Sequence, residues 1–219
     1  MAKLTWHGTG EREIEAGVQE VALFPMSSTG YETGVAWNGV TAINENPSGA
    51  DVTDLYADNI KYASMRSAEK FGFTIEAYTY PDEWAECDGS KEAVTGVFLG
   101  QQPRKAFGLV YKSSIGDEAH PNMDKGYKLH IIYNSTASPS SRGYTTINDN
   151  PDAISFSWEA DSTPVAVTDH KATCEITIDS TKADADALTS LINMIYGTDG
   201  QSGTNPTLPD PDTLLGLFD

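Results

Sequence analysis

Apolar and polar residues alternate with a period of two over several stretches of this chain. Phe71, Phe73, Ile75 and Ala77 are interleaved with Gly72, Thr74 and Glu76. Ile154, Phe156, Trp158 and Ala160 alternate with Ser155, Ser157 and Glu159, and Ala172, Cys174, Ile176 and Ile178 with Thr173, Glu175 and Thr177. This spacing sends one set of side chains to a dry face and the other to a wet face, so it predicts half-buried strands over 71–77, 153–160 and 172–178. Phe107 to Tyr111 is apolar on both sides, and Tyr127 to Tyr133 alternates less cleanly. Those two segments, 106–111 and 127–133, are expected to lie centrally, covered on both faces. Residues 104–180 thus read as a ladder of strands on which the rest of the chain is arranged.

Upstream, 20–26 predicts a strand that Pro25 ends, preceded by a weaker one over 14–18. The Gly-containing piece 27–34 reads as loop. Asn38-Gly39 between Trp37 and Val40 is a turn signal, and a hairpin returning through 41–43 is expected there. The pattern breaks over 44–49 and alternates poorly over 52–65. Residues 80–89 are acidic and turn-like, and 94–99 form a short strand. The polar segments 116–126 and 135–143 read as exposed loops.

One helix is expected over 181–196. Ser180 or Thr181 caps it, Asp184 lies in its first turn, Leu188, Leu191, Ile192 and Ile195 form its apolar stripe, and Gly197 stops it. Residues 198–219 read as a flexible polar arm ending in Leu214, Leu215, Leu217 and Phe218. These apolar residues are expected to dock, and a neighbouring copy is the expected host. On that reading, deleting 211–219 impairs assembly and leaves the monomer folded.

Composition narrows the class. A chain of 219 residues is long enough for a core burying roughly 70% of the unfolded surface, and one domain over 1–197 is expected. No window holds the roughly 18 uncharged apolar residues of a membrane span, and the start Met1 to Trp6 has no signal-peptide run. A soluble chain made in the cytoplasm is therefore expected, with Cys87 and Cys174 as free core thiols. The net charge of −18 argues against tight binding of phosphates through an attractive surface.

Chemistry is sparse. His7, His120, His130 and His170 are scattered with no zinc spacing. Asp117, Glu118, His120 and Asp124, or Asp149 with Asp152, offer oxygen ligands without calcium-loop spacing, and solvated acids are the favoured reading. No Gly-rich phosphate loop or nucleophile elbow is present, and Glu86 and Asp88 disfavour a reactive thiolate at Cys87. Any pair among 32 acids can meet in space, so a glycosidase-type carboxylate pair stays open. Trp84, Tyr78 and Tyr80 are candidates for a sugar-stacking platform, although strand aromatics are more often core. No catalytic residue, cofactor or metal is expected.

Several ordered segments resemble the major tail tube protein of long-tailed, non-contractile bacteriophages. They are Leu55 to Asn59 with Tyr62, Phe71 to Trp84, Val97 to Tyr111, Gly126 to Tyr144, Ile147 to Glu159 and Thr163 to Val165. The resemblance covers about 37–195. It implies a mainly β subunit of β-sandwich or barrel-like fold with one flanking helix, assembled as hexameric rings stacked into a hollow tube. It further implies a stacking loop over about 42–67 and a virion tail assembled in the bacterial host cytoplasm. The implied partners are other copies of the chain, a tape measure protein in the lumen, and tail terminator and baseplate or tip proteins. DNA passes through without specific binding. Inter-subunit contacts are expected at Trp37, Leu55, Tyr56, Asn59 and the terminal Leu214, Leu215, Leu217 and Phe218. A carbohydrate-binding β-sandwich is the alternative.

Overall fold

The computed structural model describes residues 4, 6, 8, 10, 12–146, 153–200 and 203–219. In chain order its strands are β1 (Ile14–Ser27), β2 (Gly30–Tyr31), β3 (Val35–Ala36), β4 (Val40–Glu45), β5 (Ser48–Gly49), β6 (Val52–Ala57), β7 (Ile60–Arg66) and β8 (Glu69–Ala77). A short helix α1 (Trp84–Cys87) precedes β9 (Lys91–Val94), β10 (Val97–Leu99), β11 (Phe107–Gly116), β12 (Gly126–Ala137), β13 (Phe156–Ser162), β14 (Val165–Val167), β15 (His170–Thr173) and β16 (Glu175–Asp179). Helices α2 (Ala185–Tyr196) and α3 (Pro211–Leu215) close the chain. The main sheet runs β2-β1-β11-β12-β13-β8-β4, with β16 also on β12, β3 on β1 and β5 on β8. Every pairing in it is antiparallel.

The central strands carry apolar residues on both sides because both sides are covered. On β1 and β11, Leu23, Phe107, Leu109 and Tyr111 enter one core with Phe73, Ile75, Trp84 and Trp158. Their neighbours Ala22, Phe24 and Val110 enter a second core with Leu188, Leu191 and Ile195 of α2. Strand β8 faces one core only, and there Phe73, Ile75 and Ala77 are buried while Thr74 and Glu76 are partly exposed, as the alternation requires.

Bulges explain where simple alternation fails. Between Ala16↔Ser114 and Gln19↔Lys112, and again before Ala22↔Val110, β1 inserts one extra residue. Gly17 (φ 80°) and Glu20 (φ 51°) hold the left-handed backbone there. What reads as two segments is one bent strand. In β12 the pairs Phe107↔Ser135 and Leu109↔Ile132 leave another extra residue, and Asn134 sits at φ 46°. The bulge reverses the strand's parity. Leu129, Ile131 and Tyr133 therefore face the α2 core while Ala137 faces the other. The Ser-rich piece beginning at Ser135 is consequently strand as far as Ala137, and Ser135 is fully buried with its hydroxyl on Ser162 Oγ at 2.7 Å.

Four further expectations change. Asn38-Gly39 does form a turn (Gly39 φ 80°), yet β3 pairs with β1 and β4 with β8, so it transfers the chain between strand partners and makes no hairpin. The acidic stretch 80–89 contains α1, which drives Trp84 and Cys87 into the core. The segment 94–99 is half of a second hairpin, β9–β10. Helix α2 starts at Ala185, and Asp184 is its N-cap, accepting from the backbone N–H of Asp186 and Ala187. An Asp carboxylate satisfies two orphan donors there, and Gly197 (φ 75°) terminates the helix.

The C-terminal segment is seated on its own domain. Asp210 caps α3 by accepting from Thr213 N–H at 3.0 Å, with Pro211 in the first turn. Leu208 and Leu214 are buried in the α2 core, and Leu215, Leu217 and Phe218 pack against it half-buried. Asp212 accepts hydrogen bonds from Thr168 N–H and Oγ1, both at 2.8 Å, which ties α3 to the loop after β14. The arm is thus a lid on the molecule's own second core. Leu214 to Phe218, 17 to 21 residues beyond the helix stop Gly197, reach that core without a partner chain, so intramolecular burial wins over waiting for a neighbour.

Candidate functional site

Two regions combine exposure with unusual chemistry. The first is the β6–β7 hairpin, a separate two-stranded sheet. Its register pairs Val52 with Arg66 and Ala57 with Ile60, and its turn is Asp58-Asn59, both at positive φ (52° and 62°). A two-residue turn with both residues left-handed matches the twist of antiparallel strands, and Asn and Asp tolerate that conformation best after Gly. Asp54 accepts from Ser64 Oγ at 2.7 Å and pairs with Lys61 at 2.8 Å. These polar contacts shape the hairpin. Its apolar side chains Val52, Leu55, Tyr56, Ile60, Tyr62 and Met65 are all exposed, Tyr56 at 70% and Tyr62 at 76%. The β9–β10 hairpin repeats the theme with exposed Val94, Val97, Phe98 and Leu99.

The residues expected to make inter-subunit contacts therefore divide. Leu55, Tyr56 and Asn59 stand on the exposed hairpin. Trp37, only 2% exposed, lies in the aromatic core against Trp84 and Trp158, its Nε1 donating to the Thr79 carbonyl at 2.8 Å. Leu214 is just as buried, and Leu215, Leu217 and Phe218 are half-covered by their own chain. Neither Trp37 nor Leu214 has surface left for a partner. Within 42–67, Ala42 to Glu45 belong to β4 in the main sheet, Ser48 and Gly49 also pair with β8, and the free-standing part spans β6 and β7.

The second region is an open groove of about 770 Å³ between β1, β4 and β11–β12. His130 stacks flat on Tyr111, with ring centroids 4.6 Å apart and planes 6° from parallel. Tyr111 donates its hydroxyl to Glu45. On the other side of the imidazole, Ser113 Oγ lies 3.0 Å from Nε2 and itself donates to Glu15, whose carboxylate also receives Lys128. Nδ1 faces Glu175 Oε1 at 3.3 Å, and Thr177 Oγ1 donates to that same oxygen at 3.0 Å. Burial alone would raise the Glu175 pKa, but the hydrogen bonds from His130 and Thr177 outweigh it and hold the group below its ordinary value. Burial, with the adjacent Glu45 carboxylate, drives the Tyr111 phenol well above its usual range.

None of this was visible in spacing. Glu45, Tyr111, His130 and Glu175 come from separate strands, and 45 residues separate even the last two. Only the register of β11, β12 and β16 brings them together, through Tyr111↔His130 and His130↔Thr177.

The other candidates resolve differently. Asp117 is not solvated. Its side chain is 2% exposed and accepts from Ala119 N–H, His120 N–H and His120 Nδ1, while Lys125 Nζ sits 2.9 Å from Oδ2. An ammonium fills the place a hard cation would take. Asp149, Asp152 and His7 lie outside the described residues. Cys87 and Cys174 are free, and burial pushes the Cys87 thiol up to about 12, which removes it as a nucleophile. Of the aromatic trio, Trp84 is in the core, Tyr80 packs edge-on against Phe156 and Trp158, and only Tyr78 is exposed.

Asp117 and Asp179 also set the acid limb of stability. Lys125 and His120 hold Asp117 far below the ordinary aspartate value, and Lys182 with Thr181 hold Asp179 at about 2. Both folded values are depressed, so the contribution is fully present above the unfolded value and is lost as pH falls, because the unfolded chain takes up protons first. Urea midpoints are expected to fall between about pH 4 and pH 2, and to fall less steeply in Asp117→Asn than in the parent chain. An equal drop in that variant contradicts the assignment.

No helix among the described residues is long and apolar enough to cross a membrane. No family model matches the chain, and no curated protein matches it.

Proposed function

We propose that the protein is the repeating structural subunit of a bacteriophage tail tube, a β-sandwich whose hexameric rings stack into a hollow conduit for the genome. The observation that carries this reading is the β6–β7 hairpin. A lone two-stranded hairpin is marginal in water, and this one keeps six large apolar residues exposed. Exposed apolar side chains concentrated on one element in this way mark a protein–protein contact. Its position within the segment that resembles the inter-ring loop of tail tube proteins supports the assignment. A mainly β body with a single long flanking helix and a net charge of −18 fits the same picture, since an acidic wall does not hold phosphates.

On this reading the subunit is not an enzyme and needs no cofactor. Its partners are other copies of itself, a tape measure protein that fills the lumen before ejection, and tail terminator and baseplate or tip proteins. It resides in the virion tail after assembly in the host cytoplasm.

The double substitution Leu55→Asp, Tyr56→Asp tests the hairpin's role. Both side chains are exposed in the subunit, so the fold should be kept within about 0.5 kcal/mol per site. Sedimentation velocity is expected to show large assemblies for the parent chain at high concentration and monomer for the variant, with unchanged circular dichroism. A variant that assembles like the parent would remove the hairpin from the contact.

A further inference from the structure

We propose that Glu45, His130 and Glu175 form a binding site for a divalent transition metal, with zinc the best fit. Their ligand atoms lie within 4.8 Å of one another, on β4, β12 and β16, and Glu45 and His130 line the groove. Ligand atoms 2.0–2.2 Å from a tetrahedral zinc lie about 3.4 Å apart, a separation that His130 Nδ1 and Glu175 Oε1 already have at 3.3 Å. Two carboxylates and one imidazole leave a coordination position toward the open groove.

The surroundings are those of a built ligand set. Ser113 Oγ–H donates to Glu15, so toward His130 the serine oxygen is an acceptor. That places a proton on Nε2, so in the neutral ring Nδ1 is a lone pair, whereas in the imidazolium it donates to Glu175. Nδ1 then faces Glu175 Oε1 at 3.3 Å. Thr177 Oγ1 has donated its hydrogen to Glu175, and Tyr111 has donated its own to Glu45. Lone pairs from three groups are thus aimed at one another, and a positive charge between them is what the arrangement lacks. Each ligand also has an outer partner that fixes its orientation: Ser113 and Glu15 for His130, Tyr111 for Glu45, Thr177 for Glu175. Metal sites are tuned by this kind of second layer. Tyr111 stacking holds the imidazole plane as well.

A proton can meet the same need by making His130 an imidazolium, and the experiment separates the two. Untagged full-length protein is stripped with a chelator, dialysed and titrated with zinc chloride at pH 7.5 by calorimetry. One zinc per chain is expected, with a matching rise in thermal midpoint that chelator reverses. Glu175→Gln, at a partly exposed position, and Glu45→Gln, at an exposed one, spare the fold and are expected to weaken zinc by more than about 100-fold, and Ser113→Ala by about 10- to 100-fold. His130→Asn is expected to abolish binding. Absence of zinc binding by the parent chain overturns the proposal in favour of the imidazolium. Parent-like affinity in Glu175→Gln overturns it by moving the zinc to another site.

Discussion

Trp158→Ala is expected to cost about 3–5 kcal/mol, the range for removing a fully buried large aromatic. Trp158 lies at the centre of the ring cluster, within 5.5–5.6 Å of Trp37, Trp84, Tyr80 and Phe156. These rings join β13 to α1, to the turn before β4 and to the segment after β8, so the cavity opens where four chain segments meet. Because a domain's whole stability is about 5–15 kcal/mol, the variant should unfold at much lower urea or lie partly unfolded at 37 °C. Tyr62→Ala, at a residue 76% exposed in the free subunit, is the matched control and should move the midpoint little. A Trp158→Ala midpoint near the parent's would mean that these four segments are not held together by this cluster.

Deleting 211–219 is expected to destabilise the monomer itself. The deletion removes α3 with its buried Pro211, takes buried Leu214 out of the second core, and strips half-buried Leu215, Leu217 and Phe218 from it. Full burial of one leucine is worth about 1.5–3 kcal/mol, and the three partly buried side chains add to that. At roughly 2–4 °C per kcal/mol for a chain of this size, the thermal midpoint should fall by about 10 °C or more. The sequence-based expectation was a folded monomer with impaired assembly. Retention of the parent midpoint after deletion would restore that expectation and detach the segment from its own core.

The difference between those two expectations shows what a linear reading can reach. Strand β8 was legible because Phe71 to Ala77 keeps one parity and faces one core. Strands β11 and β12 were legible as central because residues apolar on both sides must be covered on both sides. Strand β1 reads as two pieces in the sequence because the bulges at Gly17 and Glu20 each shift its parity by one. Ser135 was read as loop because nothing in a serine-rich run announces a hydroxyl partner such as Ser162 on the next strand. Trp84 was hidden in an acidic stretch whose polar residues stay outside while one turn of helix turns the indole inward. Leu214 to Phe218 were correctly expected to be covered, but pattern carries no address for the cover.

The groove was the least legible part. Glu45, His130 and Glu175 have no mutual spacing in sequence, and their approach follows from sheet register and from β4 reaching over Tyr111. The exposed hairpin was legible only as a poorly alternating segment. On the proposed function poor alternation is the expected signature, since a hairpin that meets partners on both faces has no reason to keep one face polar.

The central claim, a subunit that stacks into a tube, is tested most directly by negative-stain electron microscopy of the purified full-length protein at high concentration. Rings or tubes with a central channel and a regular axial repeat are the expected result. Uniform single subunits at every concentration would contradict the account.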